Sequence, residues 1–281
     1  MIRAVRHSPA RDTRSAAAPP AILAAARLEF GRRLRAWYRR NARDLPWRRT
    51  HDPYHILVSE LMLQQTQVVR VVPKYGQFLG RFPTLESVAA ASPKQVMDAW
   101  SGLGYYARAR NLHRLARTVA TAAARADPES GAIPEPATLP SDPTALRALP
   151  GVGAYTAGAV ASFAYHHAAA LVDTNVARVL TRVFTRGVDA RTSAGRRVAW
   201  AIAAATLPRA GRVAYTHNQA LMELGALVCT ARAPRCAACP VRTMCATRGE
   251  TTEHALRGEA AVSSRGRTGA TARRRRRDGG S

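Results

Sequence analysis

Apolar residues recur three to four positions apart along most of this chain, the spacing that places them on one face of an α-helix. Pro73 and Pro83 interrupt the pattern, and we interpret both as helix ends. Runs of strict apolar–polar alternation bounded by turn residues, which are typical of strands, do not occur. The pattern predicts an all-α protein of many short helices, with helical segments at 56–63, 68–72, 96–100, 112–119, 160–164 and 176–184.

The two ends of the chain lack this pattern. Residues 1–21 are rich in Arg, Ala, Ser and Pro, and residues 247–281 are rich in Gly, Ser, Thr and Arg. Such compositions bury too little apolar surface to fold, so we expect a disordered basic arm at each end. About 225 residues between the arms carry the helical pattern, which predicts two lobes.

The charge balance narrows the class of partner. The 281 residues carry 43 Lys and Arg against 18 Asp and Glu, a formal net charge of +25. A surplus of this size favours a polyanionic partner, either nucleic acid or an anionic membrane surface. The 47% hydrophobic content excludes a wholly disordered basic protein. No stretch approaches the roughly 18 apolar residues of a membrane span, so we expect a soluble, globular, intracellular protein.

All four cysteines lie within one short segment, with the spacing C-x6-C-x2-C-x5-C. Because we expect no secretory signal, a compact cysteine cluster is more typical of a metal site than of disulfides. Four thiolates suit zinc, although zinc sites more often contain two CxxC pairs and this segment contains one. A [4Fe–4S] cluster fits at least as well. The predicted ligands are Cys229, Cys236, Cys239 and Cys245.

A second motif, LPGVG at residues 149–153, precedes a helical segment. Two glycines at this spacing suit a tight hairpin between helices, whose backbone N–H groups can face an anion. It is not a dinucleotide fingerprint, because Thr156 stands where the third glycine is needed and no strand precedes it. An ordinary helix–helix turn is the alternative. The candidate anion-binding residues are Leu149, Gly151, Val152 and Gly153.

Two acids interrupt apolar segments. Glu60 lies between Leu57 and Leu61, where desolvation would raise its pKa and let it donate a proton near neutrality. A solvated helix glutamate is the alternative. Asp173 in the segment LVDTNV could likewise simply cap the helix that follows. Together with the hairpin and the cysteines, the two acids predict a catalytic site.

Seven motifs, in unbroken order over residues 37–245, carry a family resemblance. They are RDLPWR at 43–48, SELMLQQTQV at 59–68, GLGYY at 102–106, RARNL at 108–112, LPGVGAYTAG at 149–158, VD at 172–173 and NQALMELG at 218–225. With the four cysteines, they resemble the helix-hairpin-helix, iron–sulfur DNA glycosylases, and most closely the adenine DNA glycosylases (MutY family).

The resemblance implies a two-lobed, all-α helix-hairpin-helix glycosylase fold. Residues 46–167 would form a six-helix barrel lobe that contains the hairpin. Residues 22–45 and 168–246 would form the lobe that holds one [4Fe–4S] cluster. The partner would be double-stranded DNA containing a mispair, bound by a monomer at the hairpin phosphate contacts. No membrane is involved, and we expect a cytoplasmic, nucleoid-associated bacterial protein.

The resemblance also implies roles for individual residues. Glu60 matches the general acid that protonates a flipped adenine at N7, and Asp173 matches the carboxylate that stabilises the sugar cation. Tyr155 and Asn175 match supporting polar residues. Further matches line the adenine pocket or wedge into the base stack: Arg43, Leu45, Trp47 and Gln219 for the pocket, and Gln65 and Tyr105 for the wedge.

The lysine inventory favours a monofunctional enzyme. A glycosylase that also cleaves the backbone needs an amine nucleophile for a Schiff base, at the position where Tyr155 stands. Lys74 and Lys94 are the only lysines, and both are far from the hairpin in sequence. We therefore expect no strong AP-lyase activity, and the resemblance implies that the enzyme removes adenine opposite guanine or 8-oxoguanine.

Two alternatives stay open at this point. Only 36 residues follow Cys245, so we expect the Nudix-like C-terminal domain of full-length relatives to be lacking. Some enzymes of this truncated form act on thymine or uracil opposite guanine, which is the second enzymatic hypothesis. A non-catalytic iron–sulfur DNA-binding protein is the third, and the intact pair of acids argues against it.

Overall fold

The computed structural model describes residues 24–125 and 137–248, and within these ranges all regular structure is helical. The predicted disordered arms lie outside the described residues, except for Thr247 and Arg248. Short 3-10 turns occupy Pro46–Arg48, Cys236–Ala238 and Arg242–Met244. The helices are α1 Ala24–Asn41, α2 Pro53–Leu63, α3 Val68–Arg81, α4 Leu85–Ala90, α5 Pro93–Ala99, α6 Ala107–Arg125, α7 Pro143–Arg147, α8 Ala154–Phe163, α9 Thr174–Phe184, α10 Ser193–Thr206 and α11 Gly211–Leu227.

Local sequence explains where most of these helices begin. Thr84 and Ser92 form capping boxes at the starts of α4 and α5, and Asp52, Asp142 and Thr192 each accept a backbone N–H at the starts of α2, α7 and α10. These oxygens satisfy donors that the first helical turn leaves without partners. The many helix starts are therefore encoded by short polar residues directly before apolar segments.

The expectation that Pro73 ends a helix is wrong. Pro73 lies inside α3, which continues to Arg81, and the helix ends just before Pro83. Proline removes one N–H donor inside a helix, and here the missing hydrogen bond concerns the carbonyl of Val69, whose side chain is itself exposed. Water can satisfy that carbonyl, because this face of α3 is open. Pro83 behaves as predicted.

The helices pack in two groups. In the first, α2 packs on α3 and α8, α6 packs on α4 and α5, and α7 packs on α8. In the second, α1 and α9 both pack on α10 and α11. The limits predicted for two lobes, 22–45 with 168–246 and 46–167, remain a prediction.

Helix α8 connects the groups by packing on α11 as well as on α2. Its residues from Thr156 to Phe163 are all buried, which is why the segment is apolar on every side rather than on one face. Gly158 permits the closest approach, since a Cβ there would lie 2.3 Å from the carbonyl oxygen of Ala170. The close packing fixes the start of α8 relative to the chain that leads into α9.

No helix in the two described ranges combines the length and the apolar character needed to cross a bilayer.

Candidate active site

A cavity of about 650 Å³ opens where the two groups of helices meet. Its walls come from the first 3-10 turn, α2, the start of α8, the start of α9 and α11. Nine residues that the sequence predicted for the site line this one cavity: Arg43, Leu45, Trp47, Glu60, Gln65, Tyr155, Asp173, Asn175 and Gln219. Residues from four distant parts of the chain therefore meet around a space large enough for a nucleoside.

Glu60 is a buried acid in this cavity wall, and it accepts a hydrogen bond from a hydroxyl group. Glu60 is 3% exposed, and Tyr155 Oη donates a 2.6 Å hydrogen bond to Glu60 Oε2. Burial raises the pKa of Glu60 to about 7, although the Tyr155 hydrogen bond acts in the opposite direction. Glu60 can therefore hold a proton near neutrality and deliver it to a base in the cavity.

Asp173 both caps α9 and faces the cavity. Its Oδ1 accepts the N–H of Val176 at 2.6 Å, and its Oδ2 accepts Asn175 Nδ2 at 3.1 Å. Burial raises the pKa of Asp173, while these hydrogen bonds stabilise its charged form. The helix start holds the carboxylate in one orientation, so capping and a chemical role are compatible.

Glu223 anchors a cluster of charges that sequence reasoning left out of the site. Its fully buried carboxylate accepts Arg43 Nε and Nη2, both at 2.8 Å, and Arg48 Nη2 at 2.9 Å. Burial alone would raise the pKa of Glu223, but the hydrogen bonds from Arg43 and Arg48 lower it to about 2. Arg48 Nε also donates to Gln219 Oε1 at 3.0 Å, which leaves the Gln219 amide nitrogen free to turn toward a ligand.

A signal for Glu223 was present in the sequence. It interrupts the apolar residues of α11 in the segment LMELG, just as Glu60 interrupts those of α2. Arg48 lies in the RDLPWR motif, three of whose members, Arg43, Leu45 and Trp47, are predicted to line the pocket. The charge of Glu223 needs two arginines from the 43–48 segment, and no sequence pattern predicts that pairing across 175 positions.

Arg178 connects the catalytic candidates to the cysteine segment. Its Nη2 donates to Asn175 Oδ1 at 2.7 Å and to the Gly225 carbonyl at 2.8 Å, and its Nε donates to the Cys229 carbonyl at 2.7 Å. Asn175 in turn donates to Asp173. One arginine on α9 therefore joins the first cysteine to the cavity through a continuous set of hydrogen bonds.

The four cysteines line a small second cavity of about 30 Å³ beside α9 and α11. Within the described ranges, no three or more Cys, His, Asp or Glu side chains are arranged to hold a metal ion as they stand. Among the described residues, the lining of this cavity nonetheless contains cysteine thiols and no Asp, Glu or His side chain, so sulfur is the metal ligand that it offers. Arg182, Arg242 and Arg248 lie in the same wall, and Arg182 Nη1 approaches Cys229 Sγ at 3.6 Å. Thiolate ligands surrounded by arginines fit an anionic four-thiolate group.

The two predicted wedge residues occupy loop tips. Gln65 and Tyr105 have φ values of 56° and 47°, in the left-handed region that non-glycine residues rarely adopt. Gln65 lines the large cavity, whereas Tyr105 lies outside its lining and is 60% exposed. Both side chains are thus presented at the surface by strained backbone, which is typical of functional positions.

The LPGVG segment forms the predicted hairpin between α7 and α8. The Val152 N–H donates to the Leu149 carbonyl at 3.2 Å, and Gly153 caps α8. Gly151 has a φ of 78°, and a Cβ there would lie 2.5 Å from Asn111 Cβ, so only glycine fits this turn. The free N–H groups at the start of α8 remain available to an anion.

A scan against family models places the chain. Residues 58–201 match the model described as HhH-GPD superfamily base excision DNA repair protein, which is just over half of the chain. The chain belongs to this family. The match includes the second half of α2, the hairpin with α8, and α9 with its N-cap, and therefore contains Glu60, Tyr155 and Asp173.

Curated relatives of this HhH-GPD protein are similar to it over most of its length. The adenine DNA glycosylase of Mycolicibacterium smegmatis is 46% identical over 209 residues, covering 74% of this chain and 66% of the relative. The human adenine DNA glycosylase is 40% identical over 238 residues, covering 82% of this chain and 41% of the relative. The predicted resemblance is confirmed, and the chain spans between two fifths and two thirds of the length of these relatives.

Solved structures confirm the predicted all-α glycosylase fold of this HhH-GPD protein. A thermostable thymine-DNA glycosylase superposes with a TM-score of 0.67 at 28% identity, covering 79% of this chain and 96% of the other. A trapped endonuclease III–DNA covalent intermediate superposes with a TM-score of 0.64 at 20% identity, covering 81% and 98% of the two chains. The second likeness concerns the fold alone.

Proposed function

We propose that this HhH-GPD protein is a monofunctional DNA glycosylase that hydrolyses the N-glycosidic bond of adenine mispaired with guanine or 8-oxoguanine. The observation that carries the proposal is the pairing of two carboxyl groups in one cavity: Glu60, with a pKa of about 7, and Asp173, oriented by α9. The curated relatives named above support adenine as the base, at 40–46% identity.

The two acids divide the chemistry between them. A neutral adenine leaves poorly until it is protonated, so the Glu60 proton passes to N7 while Tyr155 holds the carboxyl group in place. The bond between N9 and C1′ then breaks, and its electron pair leaves with the base. Asp173 stabilises the oxocarbenium-like sugar, because its charge lies where positive charge develops. Water adds to C1′, its proton returns to Glu60, and the products are adenine and an abasic site.

The opposite wall of the cavity supplies recognition of the base. Glu223 holds Arg43 and Arg48 in fixed positions, and Arg48 in turn orients the Gln219 side chain. Gln219 is therefore left with amide N–H donors for acceptor nitrogens of a purine ring. Leu45 and Trp47, each 7% exposed, supply the apolar surface that a flipped base needs.

The cavity contains no amine for lyase chemistry within the described residues. Neither Lys74 nor Lys94 belongs to its lining, and Lys94 pairs with Asp98 on the surface of α5. Tyr155 occupies the start of α8, where a lysine would be needed to reach the sugar. This inventory supports hydrolysis without a Schiff base.

We also propose that Cys229, Cys236, Cys239 and Cys245 hold one [4Fe–4S] cluster. When bound, the cluster would supply a rigid, thiolate-ligated core that fixes the cysteine segment. Arg182 would offset its negative charge, and Arg178 would transmit the position of the segment to Asn175. A broad visible absorbance with about four iron atoms per chain is expected; a colourless protein with one zinc would contradict this assignment.

The proposed partner is duplex DNA containing a mispair, bound by a monomer that associates with the nucleoid in the cytoplasm. The hairpin from Leu149 to Gly153 would contact backbone phosphates through N–H groups at the start of α8. Gln65 and Tyr105 would enter the base stack. The lobe limits 22–45 with 168–246 and 46–167 complete the proposal, with the cavity between the lobes.

A second candidate is a glycosylase acting on thymine or uracil opposite guanine. The observation in its favour is the superposition on the thermostable thymine-DNA glycosylase, which covers 96% of that chain at 28% identity. We favour the adenine hypothesis for two reasons. The curated adenine DNA glycosylases are more similar in sequence, at 40–46% identity against 28%, and the arginine–glutamate cluster orients the Gln219 amide toward the base.

One panel of duplexes tests both candidates. Identical sequences containing A:8-oxoguanine, A:G, T:G or U:G are incubated with the holoprotein and cleaved by alkali at abasic sites. Strand breaks at adenine only, dependent on alkali, support the proposal. Breaks at thymine or uracil support the second candidate. Binding without any break would overturn both and leave a non-catalytic DNA-binding protein.

A further inference from the structure

One buried arginine on α6 contacts two separate loops. Arg108 is 7% exposed, and every donor nitrogen of its guanidinium is used. It makes seven hydrogen bonds. Nη1 donates to the carbonyls of Leu61 at 2.8 Å, Met62 at 2.8 Å and Gln64 at 2.6 Å; Nη2 donates to the carbonyls of Leu103 at 3.1 Å and Gly104 at 3.0 Å and to Thr66 Oγ1 at 3.3 Å; and Nε donates to the Tyr105 carbonyl at 3.3 Å.

Five of these acceptors belong to the two loops that carry the proposed wedge residues, and the carbonyls of Leu61 and Met62 belong to the last turn of α2, directly before the first loop. Gln65 lies between Gln64 and Thr66, and Tyr105 follows Gly104. Both Gln65 and Tyr105 have positive φ values, of 56° and 47°, so neither loop tip is in a relaxed backbone conformation. Main-chain strain of this kind persists only where the surroundings hold it, and the guanidinium is the group common to both loops.

The chemistry of these contacts requires arginine. Every acceptor that Arg108 contacts is a carbonyl or hydroxyl oxygen, so its positive charge is balanced by dipoles rather than by an acid. The flat guanidinium directs five N–H donors in a fixed fork, whereas lysine offers three donors from a single atom. The rings of Trp100 and Tyr105 complete the enclosure, at 5.6 Å and 5.4 Å from the guanidinium carbon.

We propose that Arg108 is a positioning residue that joins the Gln65 loop and the Tyr105 loop into one preassembled wedge. Its donors are all spent on the protein, so it does not bind DNA itself. Because the two side chains are fixed relative to each other before DNA binds, they enter the base stack together, and less ordering is left for the moment of base flipping. This proposal rests on the proposed function, since a wedge is needed only if a base is extruded.

The test measures unstacking separately from chemistry. The fluorescent base 2-aminopurine is placed next to the mispaired nucleotide, in otherwise identical duplexes containing A:8-oxoguanine or T:G. Its fluorescence rises when wedge residues disrupt the stack, whichever base is later removed. The variant is Arg108→Lys, which keeps the charge, and the matched control is Arg117→Lys, an exposed arginine on the same helix. Thermal unfolding followed by circular dichroism shows that each variant is folded at the assay temperature.

We expect Arg108→Lys to reduce the fluorescence rise about fivefold at saturating protein, and single-turnover excision about tenfold, with the control unchanged. Excision of adenine opposite an abasic-site analogue, where less stacking must be broken, should fall much less. In the double variant Arg108→Lys, Tyr105→Ala, the losses should not add, because both changes act through the same loop.

The outcomes separate this inference from the proposed function. If wild type produces the fluorescence rise but excises no adenine, the proposed substrate is wrong and the inference is still tested by the rise. The inference is overturned if Arg108→Lys is folded and produces the full rise. It is also overturned if this variant loses excision equally with adenine opposite 8-oxoguanine and with adenine opposite the abasic-site analogue. Should Arg108→Lys not fold, Thr66→Val removes one acceptor from the exposed loop; an undiminished rise in that variant also overturns it.

Discussion

Tyr155 Oη donates a 2.6 Å hydrogen bond to Glu60 Oε2, joining the first turn of α8 to the buried face of α2. Burial favours the protonated form of Glu60, as the proposed general acid needs, and Tyr155 fixes which oxygen carries the proton, since Oε2 is engaged as an acceptor. Oε1 is then the oxygen available to protonate a base.

Replacing Glu60 by Gln should remove catalysis and leave binding intact. The amide has the same shape and can still accept from Tyr155, but it has no proton to donate, so single-turnover excision should fall at least about 100-fold. Filter binding or anisotropy should show affinity for the mispaired duplex within about threefold of wild type. Equal loss of binding and excision would indicate a folding defect instead.

The pH dependence of excision should follow the same group. With a pKa of about 7, Glu60 loses its proton as pH rises, so kcat/KM should fall about tenfold per pH unit above that value. At acidic pH the rate should also fall as Asp173, whose pKa burial raises, becomes protonated. A profile that is flat from pH 6 to pH 9 under single-turnover conditions would argue against Glu60 as the acid.

Glu60 should also link stability to pH. A folded-state pKa raised above that of the unfolded chain means that the folded state keeps the proton longer, so this group favours folding at low pH and the effect is lost as pH rises to about 7. The Glu60→Gln variant should therefore be more stable than wild type at pH 8, by on the order of 3 kcal/mol. Urea unfolding of both proteins at pH 5 and pH 8 measures this difference.

Replacing Glu223 by Gln should weaken both stability and substrate binding. The change leaves the largely buried Arg48 and the partly exposed Arg43 without a counter-charge, at a cost of about 3 kcal/mol that comes mainly from Arg48. Because these arginines position the proposed base-binding residues, including Gln219, KM should rise more than kcat falls. Asp44→Asn is the matched control: it breaks the exposed pair with Arg49, which water screens, and should leave the free energy of unfolding almost unchanged.

Arg178→Met should disturb the cysteine segment and the active site together. It removes the donors to Asn175, Gly225 and the Cys229 carbonyl, so we expect lower iron content and about tenfold slower excision per iron-loaded molecule. Iron analysis and single-turnover rates are measured on the same preparations, with exposed Arg197→Met as control. Normal excision with normal iron content would show that the connection has no effect on catalysis.

His217 should limit stability in acid. It is 1% exposed between α1 and α11, its ring lies 5.9 Å from that of Phe30, and within the described residues neither ring nitrogen has a partner. Burial lowers the pKa of His217 to about 3. Below the unfolded value of 6.5, only the unfolded chain takes up the proton, so stability should fall by about 1.4 kcal/mol per pH unit down to about pH 3.

The variant His217→Phe should remove that pH dependence. It fills the same space without unpaired nitrogens, so its free energy of unfolding should exceed that of wild type at every pH below about 6.5. Parallel denaturation curves of the two proteins at pH 5 and pH 8 provide the comparison. An equal fall in both proteins between these values would place the acid sensitivity elsewhere.

The sequence alone predicts those features whose physical cause lies in a short stretch of neighbouring residues. Glu60 was found because an acid inside an apolar helix must lose its water on folding, and the hairpin was found because Gly151 permits a turn that other residues disfavour. The prediction for Pro73 is wrong, since a proline inside a helix is tolerated on an exposed face, where water can reach the carbonyl that loses its partner, and which face is exposed follows from packing.

Sequence alone thus determined the all-helical class and the family, and it proposed the two acids and the four-cysteine segment as a site, because motif order and residue chemistry can be read without coordinates. Only the tertiary structure decided which distant groups meet. The partnership of Glu223 with Arg43 and Arg48, the path from Cys229 through Arg178 to Asp173, and the attachment of two loops to Arg108 all join elements far apart in the chain. A charged group from which packing excludes water needs a hydrogen-bonded partner. Which group lies beside it is decided by the whole fold rather than by neighbouring residues in the sequence.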